Sequence, residues 1–363
     1  MGILNAFHLG KNKETIAIDI GSYSIKVLQI RKSHKSYSLV KFGSILLQNI
    51  GPDLSPAEKK NAIISRLAEF LASEKISVKN AATSVSGDSV VVRNVRFNKM
   101  PADLLKKTIA SEAQTYVPFD IKEADFSFHI LSGDGDPEKM DVMLVIAKKE
   151  VISSRLEILN ALKLKTAVID IDAFAAANAY ELNFGSARNE TVLLANIGES
   201  STRISILSNH VIRLVSDISV AGNTFTNALI RALNCDHKTA EDLKHSNSIP
   251  LSARDKETVA SDEQKLKIAN ALAQTAGELL SEIQKSMESY VHQKLGNRID
   301  RILLCGGGAN LGGLDKYLHQ QLKIPAALFN PFGAISRAKD ISVHMTSEFG
   351  VAVGLAMRQG RDL

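Results

Sequence analysis

The chain has 363 residues, enough for two domains of ordinary size or two lobes of one larger unit. With 45% apolar and 23% charged residues it is neither a disordered nor a fibrous polymer. A net charge of only +5, 5% aromatics and no Trp leave no stacking platforms for single-stranded nucleic acid, so no nucleic-acid partner is expected.

Two cysteines, Cys235 and Cys305, stand outside any CxxC or zinc-type spacing and read as two buried thiols of a reducing compartment. The nine histidines are scattered, with no HExxH, and there is no GxSxG nucleophile elbow. Residues 1–13 lack a basic region followed by an apolar core, and Ala6 stands where a myristoylation signal needs Ser or Thr. No apolar run approaches the roughly 18 residues of a membrane span. The expectation is a cytoplasmic protein whose membrane association, if any, goes through a partner. Ile3, Leu4, Phe7 and Leu9 read as a frayed end or a short docking segment.

In chain order, residues 15–20 and 25–30 predict strands around Gly21-Ser22-Tyr23-Ser24, and 37–48 a further strand pair bent at Gly43. Ser55-Pro56-Ala57-Glu58 is a capping box before a helix with Ile63, Ile64, Leu67, Phe70 and Leu71 on one face. Strands at 81–86 and 89–93 precede a helix from Pro101 that points Leu104, Leu105, Ile109 and Ala113 inward and ends by Pro118. Strands at 125–131 and 141–147 flank a Gly- and Asp-rich loop at 132–139, followed by a helix at 149–162, a strand at 166–171 and an Ala-rich helix at 172–182. The pattern then restarts: strands at 191–196, 203–207 and 211–216, helices at 224–233 and 238–245, and a polar stretch at 246–261 with the least order by composition. A long helix at 263–293 carries Leu266, Ala269, Leu272, Ala273, Ala276, Leu280, Ile283, Met287 and Tyr290 inward. A strand at 301–305 runs into Gly306-Gly307-Gly308, a helix starts near Gly312, and the last helix covers 348–357. Alternating strands and helices predict an α/β fold with twisted mixed sheets.

One feature repeats. Ile18-Asp19-Ile20-Gly21-Ser22-Tyr23-Ser24 aligns with Ala195-Asn196-Ile197-Gly198-Glu199-Ser200-Ser201, and Lys26 with Arg203. Each copy is a strand, then Asp or Asn, Ile-Gly, small polar residues and a second strand. Glycine lets the backbone turn tightly against a ligand, and successive backbone N–H groups in such a turn form an anion nest to which Ser hydroxyls add donors. Two such turns facing each other would grip a polyphosphate, and Asp19 would hold a hydrated Mg²⁺. The third motif, a strand ending at Cys305 and then three glycines, suits a ribose or flat ring lying against bare backbone.

These three motifs in this order resemble the actin, sugar-kinase and heat-shock ATPase superfamily. Within it, residues 14–357 are similar to the type IV pilus assembly PilM family, relatives of the cell-division protein FtsA. The most specific likeness runs from Ser89-Val90-Val91-Val92-Arg93 through Glu112-Ala113-Gln114-Thr115-Tyr116-Val117-Pro118-Phe119. Ala147-Lys148-Lys149-Glu150-Val151, the stretch from Val168 to Ala175, and that from Ile218 to Phe225 add to it. The resemblance implies an actin-like two-lobed fold of duplicated ribonuclease-H-like sheets with an FtsA/PilM-type inserted subdomain. The first lobe would comprise 14–86, 166–190 and 340–358, the insert 87–165 and the second lobe 191–339.

It also implies ATP and Mg²⁺ as cofactors. Asp19, Gly21, Ser22, Tyr23 and Ser24 would form the first phosphate loop. Gly198, Glu199, Ser200 and Ser201 would form the second, with Gly222 and Asn223 in the segment after it. Gly306, Gly307, Gly308 and Asn310 would face the nucleoside. Lys26 would neutralise phosphate or face solvent on its strand. Glu241 and Lys244 would lie near purine and ribose or form an exposed i,i+3 ion pair. Asp172 would stand near the attacking water, as the one catalytic candidate, or simply cap its helix. Asn196 departs from the family's Asp, which orders the metal's waters. Loss of that charge predicts slow or no hydrolysis, with Asn196 acting on the metal only through water and Glu199 as a replacement carboxylate.

The implied partner is the N-terminal cytoplasmic tail of PilN, an extended peptide in a groove drawn from 90–97 and 104–119, with PilO, PilP and the pilus motor ATPases beyond. A cell-division anchor like FtsA, a sugar kinase or a polymerising filament protein are the alternatives. The first is disfavoured because the chain stops six residues past Met357 with no amphipathic anchor helix.

Overall fold

The structure, a computed structural model, describes residues 14–33, 36–47, 54–131, 138–185, 190–258, 260–293, 296, 298–338 and 341–358. The docking segment expected within residues 1–13 and most of the loop at 132–139 lie outside these residues.

Strands β1 (Thr15–Ile20) and β2 (Ser24–Ser33) form the first hairpin. The strand pair expected at 37–48 is instead one strand, β3 (Ser36–Leu46), antiparallel to β2. Its irregularity lies where Gln29 and Ile30 face Lys41 and Leu39, not at Gly43. Gly43 is there for packing: a Cβ would come 2.5 Å from the Phe70 ring. Phe70 belongs to α1 (Pro56–Ser73), which starts on the expected Ser55–Glu58 capping box and buries Leu67 against β1 and β2.

Strands β4 (Asn80–Val85) and β5 (Val90–Asn98) lead to α2 (Ala102–Glu112). Leu105, Ile109 and Ala113 are buried there as expected, but Leu104 is 52% exposed. It sits one residue, about 100° of helix, off the i,i+4 stripe. Strands β6 (Ala124–Leu131) and β7 (Lys139–Lys148), then α3 (Lys149–Ala161), β8 (Lys165–Ile171) and α4 (Asp172–Phe184), complete this half.

The second half has β9 (Thr191–Ile197), β10 (Thr202–Ser208), β11 (Val211–Ile218), α5 (Gly222–Leu233) and α6 (His237–Ser246). The polar stretch after α6 is more ordered than its composition suggests. Ser248 bridges to Gly312, and α7 (Ala253–Glu257) follows. Helix α8 (Glu263–His292) buries Ile268, Leu272, Thr275, Ala276, Leu279, Ile283, Ser286 and Tyr290. Its inner face is thus rotated from the expected one, leaving Leu266 and Ala269 only half-buried. The rest is β12 (Arg301–Cys305), α9 (Leu314–Leu322), β13 (Ala326–Leu328), β14 (Ile335–Ser336), α10 (Val343–Thr346) and α11 (Gly350–Met357). Of the two cysteines, Cys305 is buried and Cys235 only half-buried.

Among the described residues three sheets result. The first runs β14-β3-β2-β1-β4-β8 and the second β11-β10-β9-β12-β13. The central strands are wired alike: β1 is antiparallel to β2 and parallel to β4, and β9 is antiparallel to β10 and parallel to β12. The repeat read in the sequence is therefore a repeat of topology. The third sheet, β5-β7-β6, is antiparallel, with α2 on one face. Between the two large sheets α4 and α11 pack so tightly that a Cβ on Gly354 would lie 1.6 Å from the Ala175 carbonyl oxygen. One apolar core runs from Ala17 and Leu28 through these helices to Val192, Leu194 and Leu303.

Candidate nucleotide site

The two related turns are built alike. Gly21 N–H donates to the Ser24 carbonyl at 3.2 Å, and Gly198 N–H to Ser201 at 3.0 Å. A Cβ would sit 3.0 and 2.9 Å from those same oxygens, so each turn needs glycine. Strand register sets Asp19 opposite Lys26 and Asn196 opposite Arg203. The turns meet: the Ser22 and Ser200 hydroxyls are 3.1 Å apart, although 178 residues separate them in the chain.

The glycine run closes the third side. Gly306 has φ +86°, and a Cβ there would lie 2.4 Å from the Ile197 carbonyl oxygen. At Gly308 a Cβ would meet Ile197 Cγ2 at 2.6 Å, whereas Gly307 faces open space. The enclosed cleft holds about 360 Å³, within the range of small-ligand sites. Asp19, Gly21, Ser22, Tyr23, Ser24, Lys26, Asp172, Asn196, Gly198, Glu199, Ser200, Ser201, Gly222, Glu241, Lys244, Gly306, Gly307, Gly308 and Asn310 all line it. Asn223 does not; its backbone N–H donates to the Glu199 carbonyl.

Charged groups gather around the first turn. Burial pushes the Asp19 carboxyl up to about 7, and the neighbouring Asp172 adds to this, while Lys26, Arg155 and Arg203 pull against it. Asp172 does not cap its helix. Ile171 is the N-cap residue, and the Asp172 carboxylate accepts from Arg203 Nη1 at 2.9 Å. Arg203 Nε donates to Asp217 at 2.7 Å, so one buried guanidinium bridges two carboxylates. Lys26 is not solvent-facing: its side chain is 12% exposed and reaches Glu348 at 3.7 Å. Arg155, from α3, donates to the carbonyls of Ser84 and Ile20.

At the other end Glu241 and Lys244 do form the i,i+3 pair, at 2.6 Å, but it is buried rather than exposed. Lys244 also donates to the Thr226 hydroxyl, which in turn donates to Glu241. Burial raises the Glu241 carboxyl, yet His245, Lys244 and Thr226 together bring it down to about 2. Glu199 does not take up the role of a replacement carboxylate beside Asp19. Burial raises its carboxyl, and the charges that act on it, Lys244, Glu241, His237 and His245, all belong to α6. The sequence reading missed Arg203, Glu348, His245 and Arg155 as site residues. Only Arg203 carried a signal, its alignment with Lys26.

This donor set fits a nucleoside polyphosphate. Turn N–H groups and serine hydroxyls suit phosphate, and bare glycine backbone suits the nucleoside. Asp19 offers a hydrated Mg²⁺ one carboxylate. Asn196 offers only a neutral oxygen, and the nearby cations Lys26, Arg155 and Arg203 supply positive charge from the protein itself.

Among the described residues no helix is long and apolar enough to cross a membrane. The chain is similar, at 24% identity and TM-score 0.80, to a solved structure of a PilM-PilN type IV pilus biogenesis complex, over 96% of this chain and 99% of that one. It is also similar to MreB5 of Spiroplasma citri bound to ADP (14% identity, TM-score 0.52, 94% and 95% covered). A third likeness is to the ethanolamine utilization protein EutJ of Carboxydothermus hydrogenoformans (12%, TM-score 0.52, 98% and 92%). These likenesses show the actin-like ATPase fold. Among curated proteins, the cell shape-determining protein Mbl of Bacillus cereus (strain ATCC 10987 / NRS 248) is 27% identical over 169 residues, 40% of this chain and 50% of Mbl. The chain thus spans about half the length of the curated relatives it matches. The model of the type IV pilus assembly protein PilM family matches residues 17–360, and the chain belongs to that family.

Proposed function

We propose that this protein binds ATP with Mg²⁺ between its two serine-bearing turns and uses that state to dock the N-terminal cytoplasmic segment of PilN, as a peripheral component of the pilus assembly platform. The observation that carries the nucleotide half is the 3.1 Å contact of Ser22 and Ser200 beside the Gly306–Gly308 backbone. A phosphate chain entering there replaces one hydroxyl–hydroxyl bond with donors from both turns. Mg²⁺ would bind at Asp19, with Asn196 reached through water, and would screen the phosphate charge. Asp172 is the residue nearest in chemistry to a base, but its carboxylate is engaged by Arg203. With Asn196 neutral, hydrolysis is slow or absent. The division into 14–86 with 166–190 and 340–358, 87–165, and 191–339 is part of this reading.

The peptide half is supported by a second cavity beside the first. Of the residues expected to form the groove, Val90–Arg93 and Pro118 line it, together with Gly87 and Asp88. Its far wall is Val215–Asp217 of β11, so it reaches the second sheet as well as the first. Arg203 and Ser86 line both cavities. A phosphate that draws on Arg203 therefore alters the wall of the groove, which gives ATP a route to the peptide. PilO, PilP and the motor ATPases would be met through PilN.

Titrating the full chain with ATP and Mg²⁺, then with a labelled peptide of the first ~10–15 residues of PilN, tests both halves. Saturable ATP binding that is lost when Gly306 is changed to Val, and peptide affinity that depends on ATP, are expected. Absence of ATP binding defeats the nucleotide half. Equal peptide affinity with and without ATP defeats the coupling.

A further inference from the structure

Where the second turn meets α6, three groups converge that the peptide groove does not use. A carboxylate oxygen of Glu199, a ring nitrogen of His237 and a carboxylate oxygen of Glu241 lie within 4.8 Å of one another. His237 and Glu241 are four residues apart on α6, the helical spacing that stacks two ligands on one face. Glu199 comes to them from the β9–β10 turn, so the ligands belong to two elements.

Glu241 is fixed in place. Its Oε1 accepts from Lys244 and Thr226, which leaves Oε2 turned toward the histidine side, 3.6 Å from His245 Nε2. Glu199 and His237 are the unspent members: among the described residues neither side chain has a hydrogen bond or ion pair. Glu199 is half-buried, and its carboxylate is open to a ligand on the side facing His237 and Glu241. His237 is exposed, so its ring is free to swing. A tetrahedral ion with bonds of about 2.0–2.2 Å needs ligand atoms about 3.4 Å apart, so the widest separation closes by up to about 1.4 Å as side chains turn toward the ion.

We infer that Glu199, His237 and Glu241 form a second cation site, for a borderline divalent metal of the zinc class, with water as the fourth ligand. One imidazole with two carboxylates selects such an ion over Mg²⁺, which prefers oxygen ligands and keeps its waters. The bound ion ties the second hairpin to α6. Glu199 and Glu241 also wall the cleft, so zinc and a nucleoside would draw on the same carboxylates. That consequence alone rests on the nucleotide reading, and its failure would leave the metal titration untouched.

The test is titration of the metal-stripped full chain with Zn²⁺ alone, in saturating Mg²⁺, followed by calorimetry, with Co²⁺ absorption as a geometric check. One Zn²⁺ per chain is expected. His237→Ala and Glu199→Gln should each weaken binding at least tenfold, and both sites tolerate the change because one is exposed and the other substitution is isosteric. Asp19→Asn should leave zinc affinity unchanged. No zinc binding, or wild-type affinity in both variants, overturns the site. Loss of binding in Asp19→Asn but not in His237→Ala would overturn it too, by assigning the zinc to the phosphate end.

Discussion

At the first hairpin the strand register sets the Asp19 carboxylate opposite Lys26; at the second the same register sets neutral Asn196 opposite Arg203. The turns share their glycines and their hydrogen bonds, yet their cations do different things. Lys26 has a carboxylate across its own hairpin and makes only a long contact with Glu348. Arg203 has none across the hairpin, and its guanidinium reaches Asp172 on α4 and Asp217 on β11. Duplication of the backbone places both turns at the cleft. With neutral Asn196 opposite it, Arg203 ties the first half to the second. The first copy keeps a carboxylate opposite a lysine, and the second has become a clasp.

The helices behind the two sheets differ as well, and there the largest effect is expected. Gly354→Ala forces a Cβ against the Ala175 carbonyl and should destabilise the fold by ~3 kcal/mol or more, or prevent folding. Gly277 on α8 has only an ordinary 3.7 Å contact with Tyr317, so Gly277→Ala should be neutral or stabilise by about 0.5–1 kcal/mol. Urea unfolding of the two variants checks this, and equal losses would mean that the two helix layers are packed alike.

Arg203→Met tests the clasp next. It leaves Asp172 and Asp217 without their partner and should cost about 3 kcal/mol, read by the same unfolding midpoint. A near-neutral result would show that the Arg203 pairs add no net stability to the fold. Asn196→Asp would make the second turn resemble the first. It should raise Mg²⁺-dependent ATP turnover about tenfold, measured by phosphate release, since a second carboxylate strengthens hold on the metal and its waters. If turnover does not change, the missing carboxylate does not limit hydrolysis.

Asp19 gives a smaller effect with a defined sign. Its folded carboxyl titrates at about 7 against an ordinary 3.8. Between those values the folded state holds a proton that the unfolded chain has released, so stability falls as pH rises from about 4 to 7. Without Mg²⁺, Asp19→Asn should therefore be more stable than the parent at pH 8, by on the order of 1 kcal/mol, with the gap closing by pH 4. Melting curves across that range decide it; a parent that is more stable at pH 8 would mean that its cations outweigh burial. The smallest change is Lys26→Met, which removes one partly exposed 3.7 Å pair and should cost less than about 1 kcal/mol. A cost like that of Arg203→Met would erase the distinction between the turns.

Much of this was legible in residue order. The capping box at Ser55 and Glu58 needs only a local hydrogen-bond pair, and it forms as expected. The twin turns were legible because glycine positions report backbone conformation directly. Helix faces were harder. Leu104 and Leu105 are equally apolar, and only the sheet beneath α2 selects Leu105. On α8 an alternative apolar stripe one position away was equally periodic, and packing against the second sheet chose the one with Ile268 and Leu279. Arg155 gave no signal, because nothing local on α3 says that its guanidinium ends near Asp19.

Sequence alone determined that two glycine turns recur, that the second lacks its carboxylate, and that a glycine triplet follows a buried strand. These are local facts, set by backbone sterics and side-chain chemistry within a few residues. Tertiary structure decided that Ser22 touches Ser200, that Arg203 rather than Lys26 joins the halves, and that Glu199 faces α6 instead of Asp19. Those outcomes depend on where distant strands and helices come together, and long-range Coulomb and packing terms have no counterpart in a local pattern.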